Sequence, residues 1–204
     1  MTNNMIKRKP VLQVVDINHP LWDEVTQQVS RRYQHAFGAV LQTYMPTFLV
    51  MMSGERIISI CGYRSAKRDG LFLEQYLTGK VEVVLSNEFE HPISRSKLVE
   101  FGQLSVFTRR TSPAHFLMIA EFLVSQGFEW GVCTATDPLY ALMSRLGLQP
   151  TLITDADKDC VPDANQTWGS YYQTQPRVLA GNLKMGLEHL RSLHCETQTL
   201  STGS

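Results

Sequence analysis

Hydrophobic and polar positions change period several times along this chain, and each change marks an element. Val11 to Asp16 alternates enough for a first strand. From Leu21 to Phe37, the residues Trp22, Val25, Val29, Tyr33 and Phe37 recur at the spacing of one face of an amphipathic helix. Thr47 to Met52 is a short apolar strand, Ser53-Gly54-Glu55 a turn, and Arg56 to Tyr63 the return strand. After a turn at Asp69-Gly70 comes the apolar run Leu71 to Leu77; Val81 to Leu85 suits either strand or helix. Leu98 to Val106, LVEFGQLSV, is a strand. Ser112 as N-cap and Pro113 at the first helical position open a helix to about Gln126, closed by Gly127. Trp130 to Thr134 is a buried strand, Asp137-Pro138 starts another helix, and Gly147 ends it.

A strand near Leu148 to Ile153 follows, then a polar loop over 155–166 and an extended aromatic stretch from Trp168 to Ala180. Asn182 caps a last helix carrying Leu183, Leu187, Leu190 and Leu193, and the Thr/Ser-rich tail 196–204 is expected to be disordered. The order predicts one domain over 1–195, of α/β (α+β) class, with a mixed central sheet flanked by helices. The central strand–helix–strand unit should be a right-handed crossover.

Composition narrows the partners. The 204 residues are 43% hydrophobic, and 19 basic side chains balance 19 acidic ones, so no global field favours nucleic acid or an anionic membrane. The N-terminus lacks the apolar core of a secretory signal, which leads to the expectation of a cytoplasmic protein. No apolar run is long enough for an integral membrane span. Cys61, Cys133, Cys160 and Cys195 are scattered without a C-x-x-C or histidine ligand spacing, so reduced thiols are expected and no metal site.

Candidate chemistry concentrates on the strand Leu98 to Val106. Glu100 lies among Leu98, Val99 and Phe101, where a charge needs a partner or a task. Two readings stand: a general base that takes a proton from an amine, or a structural ion pair with Arg64 or another arginine. Gly102 marks a bulge or close backbone approach whose amides could polarise a carbonyl, and Gln103 could orient a substrate or be a satisfied core amide. Arg109 and Arg110 lead to the helix start at Ser112, a combination suited to a phosphate or to plain solvent. Base, backbone donors and anion cradle in one segment suit acyl transfer. Arg64 and Glu74 pair with each other or line an acceptor site; Thr134 and Thr136 lie where α/β sheets host ligands. Trp168 and Tyr171, with Tyr172, wall a pocket or fill the core.

The segments GYRSAKRDGLFLEQYL (62–77), VEFGQLSV (99–106), GFEWGVCTAT (127–136), LMSRLGLQP (142–150) and TWGSYY (167–172) together resemble the thermostable hemolysin family, within the GNAT-type N-acyltransferase fold. The layout is also similar to acyl-homoserine-lactone and N-acyl amino acid synthases. The resemblance implies transfer of an acyl group from a thioester donor, on coenzyme A or on the phosphopantetheine of an acyl carrier protein, to a small-molecule amine. It leaves the oligomeric state open. Two positions depart from the GNAT pattern R/Q-x-x-G-x-G/A and its tyrosine acid: Ser112 stands where glycine is expected, and Met143 where tyrosine is. These departures keep a non-catalytic binding module in play, and the family label a membrane-active hemolysin.

Overall fold

The computed structural model describes residues 10–68, 70–107 and 113–202, with backbone alone at 113 and 196–202. Its strands are β1 (Val11–Asp16), β2 (Thr47–Ser53), β3 (Arg56–Ser65), β4 (Leu98–Val106), β5 (Trp130–Ala135), β6 (Thr151–Asp155) and β7 (Arg177–Asn182). Its helices are α1 (Trp22–Phe37), α2 (Val81–Glu88), α3 (Pro113–Ser125), α4 (Asp137–Arg145), α5 (Ala164–Trp168) and α6 (Leu183–Thr202). One sheet runs in the order β1-β2-β3-β4-β5-β7-β6, and among its pairs only β4 and β5 are parallel. This is the mixed sheet with flanking helices that the sequence predicts.

Alternation along the strands sorts the residues onto two faces. Val15, Phe48, Val50 and Ile60 pack under Val25 and Val29 of α1. Further along the same face, Leu98, Trp130, Val132, Val178 and Ala180 meet Leu73, Val81 and Leu85. On the opposite face, Leu49, Cys61 and Val99 lie against Ile119 and Leu123 of α3. Leu117 and Ala120 of α3 in turn pack on Leu187 and Leu190 of α6.

Local chemistry corrects the sequence reading in three places. The run Leu71 to Leu77 contains a 3-10 turn, Phe72–Tyr76, because the Glu74 carboxylate accepts the N–H groups of Leu71 at 2.9 Å and Val81 at 3.0 Å and closes the chain on itself. Asp69 of the preceding turn lies outside the described residues. The stretch Trp168 to Ala180 is not continuously extended: it ends α5, makes a 3-10 turn at Tyr171–Thr174, and only then becomes β7. α6 continues to Thr202, past Cys195, where a disordered tail was expected; 203–204 lie outside the described residues. Its start is as read, with the Asn182 carboxamide oxygen accepting the N–H groups of Lys184 and Met185 at 3.0 and 3.1 Å.

Two features shape the centre. β4 and β5 pair only from Leu98↔Trp130 to Glu100↔Val132, though β4 runs to Val106 and β5 to Ala135. Beyond Glu100 the strands part. On its other side, β4 pairs Gly102 with Gly62 and Ser105 with Ile60, so Gln103 and Leu104 together oppose Cys61. This is the bulge that Gly102 suggested, and it falls on Gln103, whose φ is 48°.

Segment 38–46 crosses from α1 to β2 and lies so close to the sheet that a Cβ on Gly62 would come within 2.6 Å of Met45 Cβ. Segment 164–174 docks on the end of α1: Ser170 N–H donates to Phe37 O at 2.8 Å, and Val40 N–H to Thr167 O at 2.8 Å. Gly169, at φ 54° and ψ −124°, stands where a Cβ would lie 2.2 Å from Phe37 O. Gly169→Ala is therefore expected to destabilise the fold by about 1–3 kcal/mol, read as a lowered urea midpoint, whereas Gly70→Ala, with open space around its Cβ, should change it little.

Candidate functional site

Glu100 is 2% exposed, yet its charge is answered by backbone rather than by an arginine. Phe72 N–H donates to Oε2 at 2.9 Å and Leu73 N–H to Oε1 at 3.0 Å. Burial raises its pKa above the usual carboxylate range, opposed by these two amides and by the nearby Arg64 charge. Arg64 is the cross-strand neighbour of Glu100, but its guanidinium donates to Gly70 O at 3.2 Å. A direct Arg64–Glu100 ion pair, one of the two readings open for Glu100, is not among the described contacts; the amides of the 3-10 turn hold the carboxylate instead.

The expected Arg64–Glu74 pair is likewise replaced. Arg95 grips Glu74 with Nη1 on Oε1 at 2.6 Å and Nη2 on Oε2 at 3.0 Å, and also meets Glu82 at 2.6 Å. The Arg95 fork, aided by the Val81 and Leu71 amides and opposed by burial, holds the Glu74 carboxyl down at about 2. Glu74 shapes the turn and is not among the residues that line the cavity beside Glu100.

That cavity, about 70 Å³, gathers most of the remaining candidates. Glu100, Gly102, Gln103, Arg64, Thr134, Trp168 and Tyr171 all border it. The bulge puts Gln103 on the Glu100 side, where its amide accepts Met45 N–H at 2.9 Å and donates to Thr43 O at 3.0 Å. Gln103 thus ties down segment 38–46 as the cavity's roof. Thr134 Oγ1 is buried and has no hydrogen-bond partner among the described residues. Thr136 stands apart, as the residue before α4. Arg109, Arg110 and Ser112 lie outside the described residues.

The walls include residues that the sequence reading did not single out: Tyr33, Tyr44, Phe72 and Tyr76, besides Tyr172. Tyr76 and Tyr172 share a hydroxyl hydrogen bond of 2.7 Å, and Tyr171 O–H donates to Thr134 O at 3.3 Å. Tyr33, Trp168 and Tyr171 form a ring cluster with centroids 5.2–6.5 Å apart. Burial pushes the Tyr33, Tyr76 and Tyr171 phenols up, so these hydroxyls stay protonated near neutral pH. Tyr33 and Tyr76 carried only the signal of aromatic rings on apolar faces, which core residues share.

A second, larger cavity of about 670 Å³ opens on the opposite face of the parted strands. Phe101, Leu104 and Cys133 line it from the sheet, Phe116 and Ile119 from α3, and Leu183 and Leu190 from α6. Phe101 borders both cavities, which lie on either side of the split between β4 and β5. Met143, buried with Cys133, Ala135 and Leu179, also lines the larger one. Among the described residues, no group of three or more His, Cys, Asp and Glu side chains is placed to hold a metal ion, and no helix is long and apolar enough to cross a membrane.

A seven-stranded mixed sheet that parts at its parallel pair is a GNAT-like fold. Solved structures share it. FeeM, an N-acyl amino acid synthase from uncultured soil microbes, superposes with a TM-score of 0.64 at 12% identity, over 90% of this chain and 94% of that one. The acyl-homoserine-lactone synthase LasI does so at 0.55 and 10%, over 86% and 91%. The CoA-dependent acyl-homoserine lactone synthase BjaI, solved with SAM and isopentyl-CoA, does so at 0.56 and 14%, over 90% and 89%. At such identities the likeness is one of fold. The thermostable hemolysin profile matches residues 15–187, and the chain belongs to that family. No curated protein matches it.

The Glu74 arrangement sets an acid dependence. A carboxyl held below its unfolded value contributes stability that is fully present above the unfolded pKa, near 4.3, and is lost as pH falls toward about 2. Glu74→Gln should therefore cost about 2 kcal/mol at pH 7 and flatten the loss of stability across that window, as measured by urea unfolding at several pH values.

Proposed function

We propose that this chain is an acyltransferase that moves an acyl group from a thioester donor to a small amine. The observation that carries the reading is the position of Glu100, a buried carboxylate of raised pKa, at the fork with a small polar-and-aromatic cavity on its own side and a large apolar one on the other. The two compartments match the two halves of the reaction. The larger falls within the roughly 300–1,000 Å³ of ordinary ligand sites and takes the acyl chain. The smaller takes the amine-bearing end of the acceptor.

In this reading the thioester carbonyl lies in the split. There the backbone of 101–106 has no β5 partner, and its amides polarise the carbonyl oxygen. The amine nitrogen attacks the carbonyl carbon from the Glu100 side. Glu100 accepts the amine's proton, directly or through one water, on lone pairs not used by the Phe72 and Leu73 amides. Collapse of the tetrahedral adduct breaks the C–S bond, giving amide and thiolate. Met143 offers no proton to that thiolate. A thiol of ordinary pKa, near 8.5, leaves readily as its anion and takes a proton from water.

Arg64 borders the same cavity and makes no salt bridge among the described residues, which favours an acceptor bearing an anionic group beside its amine, as an amino acid does. The Thr134 hydroxyl, without a partner among the described residues, supplies a hydrogen bond to substrate. The aromatic walls favour a cationic amine through their ring faces. For the donor, coenzyme A and a carrier-protein phosphopantetheine share the reacting arm, and Arg109, Arg110 and Ser112 remain the residues proposed to meet its phosphate.

The test supplies acyl-CoA and acyl-carrier-protein donors of several chain lengths with a panel of amino acids and neutral amines, and follows thiol release and product mass. Amide should form with at least one donor, faster with amino acids, and Glu100→Gln should lower kcat by roughly 10²–10⁴-fold. Absence of amide with either donor, or unchanged turnover in Glu100→Gln, would overturn the reading.

A further inference from the structure

The Glu100 carboxylate is held by a 3-10 turn, and that turn is itself held from behind. Phe72 and Leu73 supply the two amides that grip Glu100. A 3-10 turn of five residues has little stability of its own, so something must fix it. The Glu74 side chain does so from both ends: Oε2 accepts Leu71 N–H ahead of the turn, and Oε1 accepts Val81 N–H at the start of α2. Arg95 locks this carboxylate with both terminal nitrogens, while its Nε donates to Ala66 O at 2.8 Å and Nη1 reaches Glu82 on α2. One guanidinium thereby joins the end of β3, the turn, α2 and the segment leading into β4.

We propose that Glu74 and Arg95 are positioning residues that fix the turn whose Phe72 and Leu73 amides aim and hold the Glu100 carboxylate. Neither lines the cavity, so neither touches substrate. Phe72 and Tyr76 do line it, so the same lock sets one wall of the acceptor compartment. The proposal builds on the proposed role of Glu100, but its physical content, the state of a carboxylate, is measurable without any substrate.

The groups facing Glu100 are known element by element. Arg64 comes from β3, Glu74 and Tyr76 from the turn, and Tyr33 from α1. Tyr44 comes from segment 38–46 and Tyr171 and Tyr172 from the turn before β7, while Cys133 of β5 lies on the opposite face of the sheet, within range of the Glu100 charge. Glu74 is the neighbouring acid, and its negative charge acts through space to raise the Glu100 pKa. Removing that charge alone must lower the Glu100 pKa. Loosening the turn must do the opposite, because the carboxylate loses two N–H donors that favour its charged form. The two effects of Glu74→Gln have opposite signs, and this separates positioning from a direct field.

The experiment is a carboxyl ¹³C NMR titration of Glu100, assigned by its loss in Glu100→Gln, in the wild-type chain and in Glu74→Gln, Arg95→Lys and Glu82→Gln, each checked by circular dichroism. Glu74→Gln should raise the Glu100 midpoint by about one unit, a tenfold change in acid constant. Arg95→Lys, which keeps the charge but not the fork, should shift it the same way by less. Glu82→Gln, which leaves the Glu74–Arg95 fork in place, should leave it unchanged. A fall in Glu74→Gln, or no change in both Glu74→Gln and Arg95→Lys, overturns the proposal. If Glu74→Gln fails to fold, the Arg95→Lys midpoint decides: a rise supports the lock and no change overturns it. A raised midpoint in a chain that transfers no acyl group would uphold the lock and reject the proposed reaction.

Discussion

A ladder of three residue pairs, Leu98↔Trp130, Val99↔Gly131 and Glu100↔Val132, joins the two halves of this sheet. It is the only parallel pairing among the described residues, and the rest of the architecture depends on where it stops. Along these pairs the sheet is continuous. Beyond the last pair β4 and β5 go to different neighbours: β4 stays with β3, and β5 with β7 over its full length. Parting leaves backbone amides without strand partners, a costly state inside a protein unless a ligand or solvent meets them. The split is thus both the weak point of the sheet and its natural place for chemistry.

The two faces of the split are built from different materials, and alternation along β4 and β5 is the reason. Leu98, Glu100, Gly102 and, through the bulge, Gln103 serve the α1 side, with Thr134 from β5. Val99, Phe101, Leu104 and Cys133 serve the α3 and α6 side. A carboxylate, a guanidinium and phenol rings therefore meet one end of the opening, and aliphatic and phenyl surface the other. The proposed reaction needs that asymmetry, because a charged amine and an apolar acyl chain must approach the same carbon from different environments. Its cost falls on Glu100. Burial disfavours its charge, and the amides of Phe72 and Leu73, with the nearby Arg64 charge, make the site tolerable for a carboxylate.

How far this was readable in the sequence depends on the range of the interaction. Elements set by neighbouring residues were legible: the helix opened by Pro113, the one begun at Asp137-Pro138, and the Asn182 cap all stand where their local chemistry puts them. Glu100 was conspicuous because a charge inside LVEFGQLSV needs an explanation. Its partners were not legible, since they are backbone amides 27 and 28 residues earlier, and backbone donors carry no letter code. Glu74 reads as a partner of Arg64 or as part of an acceptor site, whereas its partner is Arg95, a side chain in a polar stretch with no visible pattern. The larger cavity left no trace at all. Phe101, Phe116, Ile119 and Leu183 read as core whether the space between them is filled or open, and only packing in three dimensions tells the two apart.

The most direct test of the central idea, a split that separates chain from acceptor, is a crystal structure with a non-hydrolysable acyl-thioester analogue bound. The account predicts the chain under α6 against Phe101 and Cys133, the carbonyl between β4 and β5, and the carbonyl carbon open to the Glu100 cavity. A chain lying on the Glu100 side, or an analogue bound away from the split, would contradict it.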